Sequence, residues 1–222
     1  MYFGLSLGLM AGSILFFFAF FLSGQLTYKK KFSLTYDIRN TFPYEINYQT
    51  KFLDNILVNS FLIFAIALSL GYFIFFNIGN LSGINIVIVI AGCALSVCVF
   101  FLFFADLKYL RFHLFLMIFV GILAFALPAS IAISAFGQFQ ADNKNIFALV
   151  MTIISAIFAL FIFGVMMNPK LNFKLEMKKQ VTPDGKEVLV RPKYFVLAFS
   201  EWIFIFSLFV SQILLLIINL PL

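Results

Sequence analysis

Charge is what this sequence lacks most. Only 11% of its 222 residues are charged and 64% are hydrophobic, whereas a soluble domain carries about 25% charged residues. So few polar side chains cannot cover a folded surface that faces water on every side. The composition therefore predicts an integral membrane protein and excludes a soluble domain of this length.

Metal-binding side chains are scarce as well. The chain has one histidine, His113, and two cysteines, Cys93 and Cys98, which lie in one apolar run and are read as buried, inert thiols. Four-ligand metal sites draw on several His, Cys or carboxylate groups, so we expect no metal and no cofactor. The sequence contains no phosphate-binding Gly-Lys-Ser/Thr loop, no His-Glu-x-x-His and no serine elbow. We therefore expect no enzyme activity.

Long apolar runs dominate what is present. Each is close to the ~20 residues that a helix needs to cross a bilayer. The predicted fold class is an α-helical integral membrane protein, a single membrane domain over 1–222 with six transmembrane helices. They cover residues 2–23, 56–76, 84–104, 112–136, 146–167 and 195–218. The first run has no basic residues before it and no small-residue cleavage site after it, so we expect a retained helix and not a signal peptide.

Basic residues predict the orientation of these helices. Links 25–54, 105–111 and 168–194 contain five, two and seven Lys or Arg, fourteen of the 15 in the chain. Because cytoplasmic loops are enriched in Lys and Arg, these links are predicted to be cytoplasmic, with both termini outside. Short tails and heavy use of Phe, Ile, Asn and Lys favour a bacterial cytoplasmic membrane.

The same basic residues predict the partners. A net charge of +6 that lies on one side of the membrane suits anionic lipid headgroups, not nucleic acid. We expect contacts to headgroups or to a partner protein, either another membrane subunit or a second copy in a homo-oligomer. The candidates are Lys29, Lys30, Lys31, Lys108, Arg111, Lys178, Lys179 and Arg191.

The two longest basic links show a β-strand pattern. Apolar and polar residues alternate over 171–178, a Thr-Pro-Asp-Gly turn follows at 182–185, and alternation resumes at 187–191. Residues 32–38 alternate in the same way. Since a lone hairpin is marginally stable in water, we predict a small cytoplasmic antiparallel sheet of residues 32–38 and the hairpin 171–191. Residues 43–54 are predicted to form an interfacial helix with Tyr44, Tyr48 and Phe52 on its membrane face.

A stripe of small residues marks the first helix. Gly4, Gly8 and Gly12 recur every fourth position, which lets another helix backbone approach closely. Two interpretations stay open: packing against a helix of this chain, or a homo-oligomer contact or sliding seam. Helix five carries a weaker small stripe that includes Ser155 and Ala159, and we predict that it is the partner.

Glu201 is the acidic residue that lies clearly inside a predicted span. A carboxyl group at that depth must pair, take up a proton or meet water, so it is a functional candidate. One interpretation has it reach the interface or pair with a basic residue such as Arg111. The other places it in a polar cavity with Asn55, Asn59 and His113, where it binds a cation or relays a proton.

Three functions remain as hypotheses at this point. The first is a small transporter, or the membrane-embedded subunit of a transport complex, with Glu201 in its polar pathway. The second is a non-catalytic membrane partner that docks another protein through its basic sheet. The third is a lipid-modifying intramembrane enzyme that uses His113 and Glu201, for which the sequence supplies no nucleophile or metal.

Overall fold

Six long helices make up most of the molecule. A computed structural model describes residues 2–32, 35–46, 56–76, 83–105, 109–141, 145–169, 171, 178–181, 187–190 and 194–220. Within these ranges, six helices are long and apolar enough to cross a membrane, which confirms their predicted number. They are α1 (Tyr2–Phe32), α2 (Ile56–Phe76), α3 (Ile84–Leu102), α4 (Leu110–Ala141), α5 (Ile146–Met166) and α6 (Val196–Ile218).

Two helices extend beyond their apolar runs. The first was predicted to end at residue 23 but continues to Phe32, and α4 continues to Ala141. Polar residues do not stop α1, because the hydroxyls of Ser23 and Thr27 bond to carbonyls of their own helix, at 2.6 Å to Ala19 and 2.9 Å to Ser23. The length of an apolar run thus reflects the thickness of the bilayer core, and the helix that contains the run can be longer than the run.

The sixth helix is the centre of the bundle. It packs against α1, α3, α4 and α5, while the other helices pack mainly against their neighbours in sequence. In its apolar window 72% of the residues are buried, compared with 28% in α1 and in α5. Rings from α1, α6 and the turn after α3 meet here: Phe103, which directly follows α3, lies 4.9 Å from Phe20 and 5.9 Å from Trp202, centroid to centroid.

The described strands form one hairpin. Strand β1 (Lys178–Val181) pairs antiparallel with β2 (Glu187–Val190), with Lys178 opposite Val190. The predicted three-stranded sheet is wrong, because Phe32 still belongs to α1 and residues 35–40 form an irregular stretch and a turn. Among the described residues, Phe195, which directly follows link 168–194, donates its backbone N–H to the carbonyl of Arg39 in link 25–54, at 2.9 Å.

The glycine stripe of α1 packs differently from the prediction. Helix α1 lies against α2 and α6, and α5 lies against α4 and α6, so the predicted α1–α5 pairing is wrong. A Cβ atom at Gly12 would lie 2.9 Å from Leu68 Cδ1 of α2, which explains the small residue there. At Gly4 and Gly8 no described atom would lie within 4 Å of a Cβ, so at these two positions the described chain supplies no partner.

Candidate functional site

Two of the predicted polar residues meet inside the bundle. Nε2 of His113 lies 2.7 Å from Oε1 of Glu201, and both side chains are 0% exposed. The residues are 88 positions apart in the chain, so the contact is purely tertiary. Glu201 thus pairs with His113, a residue of the polar-cavity interpretation, and not with the exposed Arg111.

The helices place this pair near one end of the bundle. His113 lies in the first turn of α4, and Glu201 is the sixth residue of α6. At 1.5 Å per residue, Glu201 is about 8 Å from the start of its helix. The second ring nitrogen of His113, Nδ1, lies 2.6 Å from the carbonyl oxygen of Ala105, in the short connection that follows α3. Helices α4 and α6 and the connection after α3 thus fix the imidazole.

These contacts determine where protons sit. The Ala105 carbonyl can only accept, so Nδ1 of His113 must carry a hydrogen. One further proton then lies between Nε2 and Glu201, either on the ring as an imidazolium–carboxylate pair or on the carboxyl as a neutral pair. With neither protonated, two lone pairs would face each other at 2.7 Å. The pair is therefore neutral as a unit and holds one shared proton.

Glu201 has unused bonding capacity. Its second oxygen, Oε2, is buried and has no hydrogen-bond partner among the residues that the structure describes. An unsatisfied acceptor in an apolar interior typically costs about 1–3 kcal/mol. The carboxyl group is therefore held by His113 on one side and is available to a donor on the other.

Residues 35–46, which we call the cap segment, close the end of the bundle over this pair. The rings of Phe42 and Tyr44 meet the His113 imidazole edge to face, with centroids 5.7 Å and 5.8 Å away. The predicted interfacial helix is replaced here by one buried 3-10 turn, Pro43–Ile46, and Tyr44 is 5% exposed. Residues 47–54 of that prediction lie outside the described part of the chain.

The cap segment is tied down through its backbone carbonyls. Trp202, next to Glu201, donates its indole N–H to the Thr41 carbonyl at 3.0 Å. The Tyr36 hydroxyl donates to the Phe42 carbonyl at 2.7 Å. Within the turn, Oε2 of Glu45 accepts the Phe42 N–H at 2.8 Å, as in half of a capping box. The cap is thus a defined structure attached to α6.

Electrostatics keep Tyr36 protonated. Burial raises the pKa of its phenol well above the usual value, and the acidic groups of Glu45 and Glu201 raise it further. The hydroxyl therefore remains a donor to the Phe42 carbonyl throughout the physiological pH range.

An open cleft lies on the outer side of the cap segment. Its volume is about 730 Å³, and it is lined by Phe21, Gln25 and residues 35–40. On its rim, Nη2 of Arg39 binds Oδ2 of Asp37 at 2.8 Å. The Asp37 carboxylate raises the pKa of the Arg39 guanidinium by this hydrogen bond and by its charge. The cleft brings charged side chains to the outer face of the segment that covers His113.

The remaining predicted site residues lie elsewhere. Asn59 is buried in the first turn of α2, but Glu201 and the His113 nitrogens make their hydrogen bonds with other groups. Lys29, Lys30 and Arg111 are exposed, Lys31 lies in the last turn of α1, and Lys178 and Lys179 lie in β1. Asn55, Lys108 and Arg191 are outside the described residues. Within the described ranges no three His, Cys, Asp or Glu residues could hold a metal ion.

Sequence reasoning missed the cap segment and its ties. Trp202 is the single tryptophan of the chain and directly follows Glu201. A buried tryptophan needs an acceptor for its N–H. This requirement is the one sequence signal that points to a contact of Trp202 with another segment. The acceptor, the Thr41 carbonyl, is 161 positions away, so no local pattern could identify it.

Fold and site together define a polytopic α-helical membrane protein with a buried ionisable pair under a folded cap. No protein-family model, curated protein or solved structure matches the chain. The function must therefore be argued from the pair and the cap.

Proposed function

We propose that this protein is a small proton-coupled transporter, or the proton-coupled membrane subunit of a transport complex. The observation that carries the proposal is the fully buried His113–Glu201 pair, 2.7 Å apart, within the helical bundle. Ionisable groups at membrane depth are costly, and they characteristically mark proton and ion pathways. The unused Oε2 of Glu201 adds an acceptor on which a substrate or a proton can act.

Charge balance supplies a coupling mechanism. With its shared proton the pair is neutral and can be buried under the cap segment. Without that proton it carries a net negative charge, which an apolar interior does not tolerate. Cap closure would therefore require a protonated pair. Loss of the proton to water would favour the open state, and this link between protonation and access is what a proton-coupled carrier needs.

The cap would act as the inner gate. Its opening breaks few hydrogen bonds, chiefly that from the Trp202 indole N–H to the Thr41 carbonyl and that from Phe195 N–H to the Arg39 carbonyl. The basic links 25–54, 105–111 and 168–194 would then face the cytoplasm by the positive-inside rule. In this orientation the cleft beside Arg39 is the cytoplasmic approach to the pair.

Proton flux in liposomes tests this proposal. We expect the purified protein to dissipate an imposed pH gradient faster than empty vesicles, and Glu201→Gln to abolish the difference. The amide of that variant can still donate to Nε2 of His113, so the fold is retained while the releasable proton is lost. Ser200→Ala is the matched control, because this buried neighbour bonds only to Val196 of its own helix among the described residues. Equal flux in Glu201→Gln and in the unaltered protein would refute the role of the pair.

A second candidate function is docking of a partner protein. Among the described strands β1 and β2 pair only with each other, so each has an outer edge that can accept another strand. Lys178 and Lys179 of β1 add positive charge to that hairpin. Co-purification from native membranes in mild detergent tests this alternative, and recovery of the bare chain would count against it.

A further inference from the structure

The open cleft beside the cap segment contains an arginine whose hydrogen-bond donors are only partly used. Asp37 engages two nitrogens of Arg39: Nε lies 3.0 Å from Oδ1 and Nη2 lies 2.8 Å from Oδ2. The third nitrogen, Nη1, has no hydrogen-bond partner among the residues that the structure describes. The Arg39 side chain is 51% exposed. Asp37 thus fixes the guanidinium and leaves one of its edges accessible to an acceptor.

The charges around this cleft favour an anion. Gln25 lines the cleft from α1, and Lys29 lies one turn further along the same face of that helix. Lys29 and its neighbour Lys30 are both exposed. Asp37 is the acidic residue of the lining, and its carboxylate already accepts the hydrogen bonds from Arg39. A ligand with negatively charged oxygens therefore meets three cations and the open edge of a guanidinium.

The position of the cleft along α1 corresponds to the level of the lipid headgroups. The apolar run of this helix covers residues 2–23, and Gln25 lies two residues beyond it, about 3 Å along the helix axis. Leu22 and Leu26, which directly follow the lining residues Phe21 and Gln25, are 57% and 70% exposed. Large apolar side chains that are exposed on a membrane-spanning helix face lipid. The cleft therefore adjoins a lipid-facing strip of α1.

We propose that this cleft binds the phosphate group of an anionic phospholipid. Phosphate oxygens match the planar donor edge of a guanidinium, and the acyl chains would lie against Leu22 and Leu26. A zwitterionic headgroup fits less well, because its cation would lie among Lys29, Lys30 and Arg39. The volume of about 730 Å³ is within the roughly 300–1,000 Å³ of ligand pockets. The site would bind lipid whether or not the protein moves protons.

Quenching of Trp202 fluorescence by brominated lipids tests the proposal. Trp202 is the single tryptophan of the chain, and its ring lies 5.2 Å from Phe21 and 6.0 Å from Tyr36, which both line the cleft. The full chain is placed in phosphatidylcholine vesicles that contain a small share of lipid brominated in its acyl chains. We expect brominated phosphatidylglycerol to quench Trp202 more strongly than the same share of brominated phosphatidylcholine. In Arg39→Gln the affinity for phosphatidylglycerol should fall roughly tenfold, because charge-assisted hydrogen bonds are lost.

Two further variants distinguish the cleft from a generally basic surface. Gln25→Phe lies outside the cap segment and fills the cleft without changing a charge, so it should weaken the quenching as Arg39→Gln does. Arg111→Gln is the matched control, because it removes an exposed arginine that does not line the cleft, and quenching should be unchanged. Unchanged quenching in Gln25→Phe, or an equal loss in Arg111→Gln, would overturn the proposal.

The source of the phosphate is tested with glycerol phosphate in the aqueous phase. If phosphatidylglycerol is the ligand, its preferential quenching persists when glycerol phosphate is added. The absence of any preference for brominated phosphatidylglycerol in the unaltered protein would contradict the lipid assignment. If glycerol phosphate then changes the emission of Trp202, and Arg39→Gln abolishes that change, the cleft binds a water-soluble phosphate ester and the lipid assignment is wrong.

Discussion

Replacing His113 and Glu201 by leucine, singly and together, measures how strongly the pair is coupled. Removing one member of a buried pair typically costs roughly 3–5 kcal/mol, whereas replacing both with apolar groups is often close to neutral. His113 also bonds to the Ala105 carbonyl and touches the rings of Phe42 and Tyr44. We therefore expect a loss of about 4 kcal/mol for His113→Leu and about 3 kcal/mol for Glu201→Leu.

The double variant should lose about 4 kcal/mol, the same as His113→Leu alone, because no orphaned carboxyl group remains and the Ala105 carbonyl lacks its donor in both variants. The coupling free energy would then be about 3 kcal/mol. Reversible unfolding in mixed micelles, followed by circular dichroism, gives the four free energies of the cycle. Combining Ser200→Ala with either leucine variant provides an uncoupled reference. If the double loss equals the sum of the single losses within about 0.5 kcal/mol, the pair is not a unit and the one-proton argument fails.

Three further predictions concern the cap segment and the helix packing. Trp202→Phe removes the indole donor, and amide hydrogen exchange in the cap segment should become faster while the exchange of α6 stays unchanged. Burial raises the pKa of Tyr36 above its unfolded value of 10.0, so the protonated phenol stabilises the folded state fully below pH 10.0, and this stabilisation is lost as the pH rises further. The free energy of unfolding, measured against pH, should therefore fall less at alkaline pH in Tyr36→Phe than in the unaltered protein. Gly92→Ala places a methyl group against the Phe73 ring and should destabilise the bundle by about 1–3 kcal/mol, whereas Gly8→Ala, with no described atom within 4 Å, should lower the unfolding midpoint little.

Composition predicts the class, and the long apolar runs predict the number of helices, because the bilayer imposes a length and a polarity on each span. The same physics singles out Glu201, since an acidic residue in an apolar run is expensive. From the sequence, the contact between Glu201 and His113 is only a hypothesis. That contact depends on how α4 packs on α6, and no sequence period encodes the packing.

The alternation at residues 32–38 shows where local patterns mislead. Every second residue is apolar there, which is typical of a half-buried strand. In the structure α1 continues to Phe32, and Tyr36 inserts into the bundle, where its ring lies 6.0 Å from Trp202. An irregular segment that buries aromatic residues between helix ends produces the same alternation. Only the tertiary contacts distinguish such a segment from a half-buried strand.

The central position of α6 has a consequence for biogenesis. This helix follows the other five in the chain, so during synthesis α1 to α5 enter the membrane before the helix they surround exists. Until α6 arrives, His113 has no acidic partner and the carbonyl of Thr41 has no indole donor. Helices α1 to α5 must therefore remain loosely packed until α6 is inserted among them. A chain stopped before residue 196 should be recognised as incomplete by membrane proteases.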